Sequence, residues 1–459
     1  MSAGKHPRLT NTPNDSLVLG FSNLRQARLE RPLVITGGRG VFIFDENGKQ
    51  YLEASSSFYC AALGYSDARL IEAATRQLTQ MPFYTSAQHR TLPVVMELAE
   101  KLCALAPVSN AHVAFATTGS EAVDFLMKFM RYRNVHRGEA ERRKVISRWG
   151  GYHGGTMMTA ALGGAKTLHA SFALPMEDHL FVSQPDYFNN HLEGETEPQF
   201  LDRLIDELEQ TIIDAGPEAV AAFIAEPISF SCGFAVPPEN YFPRVREVLD
   251  RYGIALFGDE VVTGFCRTGN MFGAESVKAK PDCVTIAKAM SAAYIPISGI
   301  LMSADFYGDL EAHSDTHGVF AHAGTYSAHP VGAAVALEML RIIDEEDLLG
   351  QVRARSATFR DRMDRLRAHP LVADVRTLGL GGAVQLISDG PSEGVGAVVG
   401  GLAKALGEAA LDRGLIVRVT GPSAVIAPPL IITDAEIDEL FDRFELALQD
   451  AEQSVTARR

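Results

Sequence analysis

Cysteine is scarce in this sequence and forms no motif. The five cysteines lie far apart in a chain of 459 residues, and no two of them form a CxxC pair. An odd, scattered set of this kind is typical of reduced thiols and argues against a disulfide framework or a cysteine-based zinc site. We therefore expect a cytoplasmic protein.

Long apolar runs and basic clusters are also missing. No stretch of eighteen apolar residues occurs, so no transmembrane helix is predicted, and the polar N-terminal segment does not resemble a secretory signal. The formal net charge is −15, and no block of lysine and arginine offsets it. Nucleic acid and anionic membrane are therefore not expected as partners.

The familiar nucleotide-binding and zinc-protease motifs are absent as well. The segment "GGRG" at 37–40 is followed neither by G-x-G-x-x-G spacing nor by a helix, and no G-x-x-x-x-G-K-[ST] or HExxH occurs. The hydrophobic content of 46% is ordinary for a soluble globular protein, and the length suffices for at least two domains.

The middle of the chain alternates short apolar runs with amphipathic stretches. The runs predict strands at 144–149, 220–227, 254–261, 283–290 and 297–303, and the intervening stretches predict helices at 121–135, 200–214 and 239–252. Fully apolar strands alternating with helices are typical of a mostly parallel sheet covered on both faces. The fold class is therefore α/β.

The two ends of the chain follow other patterns. Residues 33–53 alternate apolar and polar positions around an Asn47-Gly48 turn, which predicts a β-hairpin, and helical patterns occupy 66–105, 330–344, 350–368 and 399–413. We expect a large domain over 60–325. A smaller α+β domain would combine residues 1–59 with residues 326–459.

Lys288 is unexpected within the apolar run "CVTIAKAM" at 283–290. One interpretation is a strand end from which the ammonium reaches water. The other is a desolvated lysine, whose lowered pKa makes it an amine nucleophile able to form a Schiff base. Asp259 precedes it by about one strand–crossover–strand unit, so both residues would lie at neighbouring strand ends, where Asp259 is suited to pair with a pyridinium nitrogen.

Two further segments are suited to phosphate. Thr118, Gly119, Ser120 and Glu121 open a helix in capping-box order, and Gly119 and Ser120 would offer donors at its positive end. Thr325 precedes a second helix in the same way. Each segment alone is also typical of a plain helix start, and alone the Thr118 segment favours that interpretation. A reactive lysine, a ring-nitrogen carboxylate and two phosphate-suited turns together predict pyridoxal 5′-phosphate as the cofactor.

With these residues in place, the chain resembles the class III aminotransferases, pyridoxal-phosphate-dependent enzymes of fold type I. The resemblance runs from about 33 to 440 through "TTGSEAVDF", "GYHG", "AEPI", "FGDEVVTGFCRTG", "PDCVTIAKAMSAAYIPISG", "GTYSAHPVGAAVAL" and "APPLIIT". It implies a homodimer or larger assembly with active sites at the interface. It also implies ping-pong transfer of an amino group from an amine or ω-amino compound to a keto acid such as pyruvate.

The resemblance also implies roles for individual residues. Lys288 would be the Schiff-base lysine and Asp259 the partner of the ring nitrogen. The remaining cofactor contacts would come from Tyr152 and Val261 on the two ring faces, from Glu226 and the His153 of "GYHG" beside the ring, from Gly119 and Ser120 at the phosphate, and from Thr325 of the partner subunit.

Substrate contacts are implied at four positions. Arg418 matches the mobile, carboxylate-binding arginine of amine:pyruvate (ω-) transaminases, although a short-strand surface arginine reads the same way. Phe58 and Tyr59, together with Tyr152, match the aromatic wall, and Tyr59 stands where close relatives often carry tryptophan. An aminomutase or a decarboxylating transaminase of the same family remains an alternative.

Histidines offer a remote alternative of another class. His313 and His317 stand at i, i+4, a spacing that holds zinc when both lie on one helix. Gly318 and Gly324 interrupt the segment, so we expect no continuous helix there and no metal site. A non-catalytic binding module is disfavoured, because Lys288 and Asp259 are both present.

Overall fold

The strands of the chain assemble into three sheets. The computed structural model describes residues 16–29, 32–387 and 401–456, and the sheets have four, seven and four strands within those ranges. The strands are β1 Ile35–Arg39, β2 Phe42–Asp45, β3 Gln50–Glu53, β4 His112–Ala116, β5 Lys144–Arg148, β6 His179–Val182, β7 Val220–Ala225, β8 Ala255–Asp259, β9 Cys283–Ile286, β10 Ser298–Met302, β11 Val372–Leu378, β12 Gly381–Leu386, β13 Leu415–Ile416, β14 Arg418–Thr420 and β15 Ser423–Ile426.

Helices surround these sheets. They are α1 Leu24–Leu29, α2 Ser56–Tyr59, α3 Ala68–Gln80, α4 Pro93–Leu105, α5 Gly119–His136, α6 Met157–Leu162, α7 Lys166–Phe172, α8 Tyr187–Asn190, α9 Glu197–Ala215, α10 Tyr241–Arg251, α11 Gly273–Ser276, α12 Ala304–His317, α13 Pro330–Glu345, α14 Leu348–Arg365, α15 Gly401–Asp412 and α16 Asp434–Thr456. No described helix is long and apolar enough to cross a membrane.

The central sheet is mostly parallel, which confirms the predicted fold class. Its strand order is β4-β10-β9-β8-β7-β5-β6, and only β10 runs antiparallel to its neighbours β4 and β9. Its fully apolar strands are buried because both faces are covered. Along β7, Ala222 and Ile224 join the core beneath α5 and α12, whereas Phe223 and Ala225 join the core beneath α9 and α10.

The two ends of the chain meet in a smaller sheet. Strands β1, β2 and β3 form an antiparallel meander, and β13 pairs with β3 in parallel, with Leu415 opposite Leu52 and Ile416 opposite Glu53. Strands β11, β12, β15 and β14 form the third, antiparallel sheet. The domain boundaries after residues 59 and 325 stay a prediction.

Several predicted elements differ from the observed ones. The strand predicted at 283–290 ends at Ile286, and residues 66–105 form two helices, α3 and α4. The expectation of no continuous helix around His313 and His317 is wrong, because both lie on α12. Gly318 follows that helix with φ 73° and ends it without interrupting it. Residues 399–400 of the predicted helix at 399–413 lie outside the described residues.

Candidate active site

A cavity of about 380 Å³ opens at the carboxyl ends of the central strands. In open α/β sheets these ends are where ligands bind, because neighbouring parallel strands deliver their last residues to one edge. Eleven of the twelve predicted site residues line this cavity: Phe58, Tyr59, Gly119, Ser120, Tyr152, His153, Glu226, Asp259, Val261, Lys288 and Arg418. Thr325 does not.

Lys288 lies two residues beyond the end of β9. Its backbone has φ 49°, the left-handed region that costs a non-glycine residue about 1–2 kcal/mol. The side chain is enclosed by protein but keeps part of its surface open to the cavity. Burial lowers the pKa of Lys288 below its ordinary value, although the nearby Cys60 and Asp259 partly oppose this. A lysine in this setting is a usable amine nucleophile.

Asp259 ends β8 and is held in place by three neighbours. Its Oδ1 accepts a hydrogen bond from the Val261 backbone N–H at 3.1 Å and from the Thr285 hydroxyl at 3.3 Å, while Oδ2 lies 2.8 Å from His153 Nδ1. Burial opposes a charge on His153, but the bond to Asp259 and the nearby Glu226 raise the pKa of this imidazole above its ordinary value. These three neighbours therefore orient the carboxylate at the cavity wall.

Glu226 follows β7 and lies above a buried arginine. Arg148 is 1% exposed, and its guanidinium donates to both the backbone oxygen and the Oε2 of Glu226. Glu226 Oε1 accepts hydrogen bonds from the Tyr152 backbone N–H at 3.2 Å and from Ser229. Burial opposes ionisation, yet the charges of His153 and Arg148 lower the pKa of Glu226. Glu226 thus fixes the segment that carries Tyr152.

The start of helix α5 contributes Gly119 and Ser120. Thr118 caps the helix, because its hydroxyl oxygen accepts a hydrogen bond from the Glu121 N–H. In the return bond of the predicted capping box, the Glu121 carboxylate accepts from the N–H of Thr117 and not from that of Thr118. A Cβ on Gly119 would lie 3.0 Å from a methyl carbon of Val261, so glycine leaves room at the positive end of the helix. The capped helix start is confirmed, and the phosphate-binding role of Gly119 and Ser120 stays a prediction.

An aromatic wall and one arginine close another side of the cavity. The Arg418 guanidinium carbon lies 4.4 Å from the ring centroid of Phe58 and 5.7 Å from that of Tyr59. The ring of Tyr59 packs against Phe230 with centroids 4.8 Å apart. Among the described residues, the Arg418 guanidinium has no hydrogen-bonded or ion-paired partner. It is therefore available for a carboxylate.

The wall residues belong to α2, a single turn whose backbone is left-handed. Ser56, Ser57, Phe58 and Tyr59 have φ of 47°, 47°, 62° and 69°, and the Tyr59 N–H donates to the Ser55 oxygen at 2.8 Å. Four consecutive non-glycine residues in this region are rare, because each one is strained. Backbone strain of this kind is concentrated at functional sites.

Thr325 is exposed on the surface of its own chain. The neighbouring Tyr326 is 61% exposed, and its ring contacts Phe83, itself 37% exposed, with centroids 5.6 Å apart. The chain therefore does not bring Thr325 to its own cavity. This placement leaves the predicted contribution to a partner subunit's site as a proposal.

Two neighbours of the site were not indicated by the sequence. Thr285 stands opposite Asp259 in the β8–β9 register, and its polarity within the apolar "CVTI" was the available signal. Cys60 lines the cavity close to Lys288, and no sequence feature distinguished it from the other cysteines.

The second carboxylate of "GDEV" faces elsewhere. Glu260 is fully buried and accepts hydrogen bonds from the backbone N–H groups of Gly273 and Ala274 at 2.8 and 2.6 Å and from Thr263. Burial raises its pKa to about 7. Glu260 anchors α11 and is not part of the cavity wall.

The histidines of α12 form a packed cluster without a metal-binding set. His313 is buried against Tyr132, and its ring centroid lies 4.3 Å from that of His317 and 5.3 Å from that of His136. In the described ranges, no group of three or more His, Cys, Asp or Glu side chains is placed to hold a metal ion.

The residues around the cavity fit pyridoxal 5′-phosphate. The helix start at Gly119 suits a phosphate, the Asp259 carboxyl group suits a protonated ring nitrogen, and Lys288 suits an aldehyde. In addition, His153 Nε2 is buried without a hydrogen-bond partner in the described part of the chain. The cavity thus offers an anion site, a flat-ring site and a reactive amine together.

Comparison with known proteins gives a consistent result. The family model described as aminotransferase class-III matches residues 25–448. A probable γ-aminobutyrate transaminase 4 from Oryza sativa subsp. japonica is 39% identical over 442 residues, covering 96% of this chain and 92% of the relative. A vanillin aminotransferase from Capsicum chinense is 38% identical over 425 residues, covering 92% and 93%.

Solved structures show the same similarity. The ω-transaminase of Pseudomonas jessenii in complex with PMP superposes with a TM-score of 0.92 at 38% identity, covering 96% of this chain and 97% of that one. The PMP-bound aminotransferase of Vibrio fluvialis has a TM-score of 0.92 at 32% identity, with coverage of 96% and 97%.

Proposed function

This chain belongs to the class III aminotransferases. From that membership we propose that, in one transamination cycle, Lys288 transfers the proton and Arg418 binds the carboxylate of the keto acid. The protein is a pyridoxal-phosphate-dependent enzyme that moves an amino group from an amine or ω-amino compound to a keto acid. The observation that supports the finer proposal is Arg418, a free guanidinium on an aromatic wall in the same cavity as the reactive lysine. The keto acid that we propose is pyruvate.

Each residue of the cavity has a defined task in this proposal. When bound, the cofactor supplies an aldehyde carbon and a ring that withdraws electrons from the substrate carbon. Lys288 Nζ, desolvated and low in pKa, takes a proton from that carbon and returns it. Asp259 keeps a proton at the ring nitrogen, and the N-terminal N–H groups of α5 hold the phosphate. Tyr152 and Val261 confine the ring.

Arg418 and the aromatic wall explain how one cavity accepts two kinds of substrate. A guanidinium binds the carboxylate of pyruvate or alanine with two parallel hydrogen bonds. For an amine without a carboxylate, Phe58 and Tyr59 offer an apolar surface instead. The names of the relatives point to the same donors: γ-aminobutyrate is an ω-amino acid, and the structural neighbours are ω-transaminases.

The first test is the visible absorption of the purified protein. We expect a band from the Lys288-bound cofactor that fades with alanine and also with a simple aryl amine. Fading with amino acids alone would refute the amine part of the proposal and leave the aminotransferase intact. Absence of a band after addition of pyridoxal phosphate would refute the role of Lys288.

Replacing Arg418 with alanine tests the carboxylate site. We expect kcat/KM for alanine to fall about 10- to 100-fold, because a bidentate charged hydrogen bond is lost, while the amine half-reaction stays within about threefold. Stopped-flow half-reactions measure both. Arg413→Ala is the matched control, since Arg413 pairs with Asp450 on the surface and does not line the cavity. Unchanged alanine kinetics in the Arg418 variant would contradict the proposal.

We also propose a homodimer in which Thr325 reaches the phosphate of the partner subunit. The exposed aromatic pair Phe83 and Tyr326 beside Thr325 supports this, because large exposed aromatic side chains are typical of interfaces.

Thr325→Ala is expected to weaken cofactor binding by up to about tenfold, through one lost hydrogen bond, without dissociating the dimer. Equilibrium dialysis and light scattering measure the two quantities. Thr316→Ala on the exposed side of α12 is the control. A monomer in solution, or unchanged cofactor affinity, would count against this arrangement.

A cytoplasmic location is proposed on chemical grounds. All five cysteines are free thiols, a state that persists in a reducing compartment. Cell fractionation tests this location, and recovery in an oxidising compartment would contradict it.

A further inference from the structure

The left-handed turn α2 is held by a buried carboxylate that does not touch the cavity. Glu53, the last residue of β3, is 2% exposed. Its Oε1 accepts from the Ser55 N–H at 2.9 Å and the Ser55 hydroxyl at 2.8 Å. Its Oε2 accepts from the Ser57 N–H, from the Ser57 hydroxyl at 3.0 Å and from the Tyr65 hydroxyl at 3.1 Å. One side chain thus receives five hydrogen bonds.

These bonds act on the part of the chain with the strained backbone. Ser57 has φ 47° and ψ 68°, and Phe58 has φ 62° and ψ 37°. A serine or phenylalanine adopts such angles only where the surroundings determine them, because the Cβ meets its own backbone. Ser56 is anchored separately, through its hydroxyl bond to the Ala427 oxygen at 2.6 Å. The Glu53 carboxylate restrains the neighbouring Ser55 and Ser57 directly.

The conformation of α2 determines where the aromatic wall of the cavity lies. Phe58 is 56% exposed, so its side chain is held by few packing contacts. Its position therefore depends on the backbone of Ser57, which directly precedes it. Arg418 stacks on that ring at 4.4 Å. Glu53 also lies close to the arginine along the chain fold, since Glu53 pairs with Ile416, two residues before Arg418. Displacement of the turn would therefore move the Phe58 ring relative to the strand that carries Arg418.

We propose that Glu53 is a positioning residue for donor selectivity: its carboxylate holds Ser57 in the left-handed turn and so places Phe58 and Tyr59 against the amine donor. This inference rests on the proposed function, because it concerns the amine side of the cavity. Glu53 itself does not line the cavity. Its effect is therefore on how donors bind, and Lys288 and Asp259 are untouched by it.

The test compares two donors with pyruvate as acceptor: 1-phenylethylamine, which needs the wall, and 2-aminopropane, which is too small to fill it. In Glu53→Gln the amide nitrogen cannot accept, so at least one donor of the turn loses its partner. We expect kcat/KM for 1-phenylethylamine to fall about tenfold or more, mainly through KM, and that for 2-aminopropane to change less than about threefold. The cofactor band should be unchanged.

A glycine rescue separates positioning from general destabilisation. Glycine adopts positive φ without steric cost, so Ser57→Gly in the Glu53→Gln background should restore the donor ratio towards wild type. Asp45→Asn is the matched control. Asp45 is a buried carboxylate in the same meander that accepts from the N–H groups of Asn47 and Lys49 at 2.8 and 2.9 Å, and it does not line the cavity. Its donor ratio should stay at the wild-type value.

Each outcome decides a separate point. A wild-type ratio in Glu53→Gln, an equal shift in Asp45→Asn, or no rescue by glycine would overturn the role of Glu53. Wild-type protein that uses neither amine would overturn the proposed function as well. If Glu53→Gln does not fold, Tyr65→Phe replaces it, since the Tyr65 hydroxyl bonds both Glu53 and Ser57. A smaller shift of the ratio in the same direction is then expected, and an unchanged ratio would overturn the proposal.

Discussion

Replacing Lys288 with alanine is expected to lower transamination by at least about 10⁴-fold while the protein still folds. Among the described residues that line the cavity, Lys288 is the only primary amine, so no neighbour replaces it as nucleophile or proton carrier. Folding should survive because the removed ammonium is desolvated, as the lowered pKa indicates, and its removal leaves no buried charge without a partner. Steady-state turnover with alanine and with an aryl amine measures the effect.

The matched control is Lys166→Ala. Lys166 lies on α7 above the Trp149 ring, 5.3 Å from its centroid, and outside the cavity. It should retain turnover within about threefold. A Lys288→Ala variant within about tenfold of the wild-type rate would refute the assignment, whereas partial recovery with added methylamine would support a lost proton carrier.

The sequence predicted those parts of the site that depend on strand order. Parallel strands bring their last residues to one edge, so Asp259 after β8 and Lys288 after β9 had to lie near one another once these two strands were recognised. The apolar runs are long and bounded by polar segments, which is why β5, β7 and β8 were placed correctly. The resemblance then added Arg418 and the aromatic wall, which spacing alone did not indicate.

Backbone conformation was the part that the sequence did not predict. Propensity gives no reason to place "SSFY" in a left-handed turn, since none of these residues is glycine. The turn depends on contacts that are distant in sequence, such as the bond from Ser56 to Ala427. Ala293 and Ala328 likewise have φ of 67° and 56°, in the region that favours glycine. Tertiary contacts there outweigh local preference.

Replacing Asp259 with asparagine should slow the first half-reaction about 10²- to 10³-fold, because a fixed negative charge at the ring nitrogen is removed. The amide is nearly isosteric and can still accept the bonds from Val261 and Thr285, so the backbone should stay in place. The pKa of His153, which the Asp259 bond raises, should fall. Single-turnover absorption with alanine measures the rate, and NMR of the imidazole measures the pKa.

The adjacent Glu260→Gln variant separates charge at the cavity from damage to the fold. Glu260 accepts hydrogen bonds from Gly273 and Ala274. Because its pKa is raised to about 7, replacing it with the neutral glutamine changes the charge at this position little. We expect a lower melting temperature, because the amide nitrogen meets an N–H donor, but a half-reaction within about threefold of wild type. Equal slowing in both variants would make the effect structural. An unchanged rate in Asp259→Asn would remove Asp259 from the mechanism, since the charge would then have no effect on proton removal.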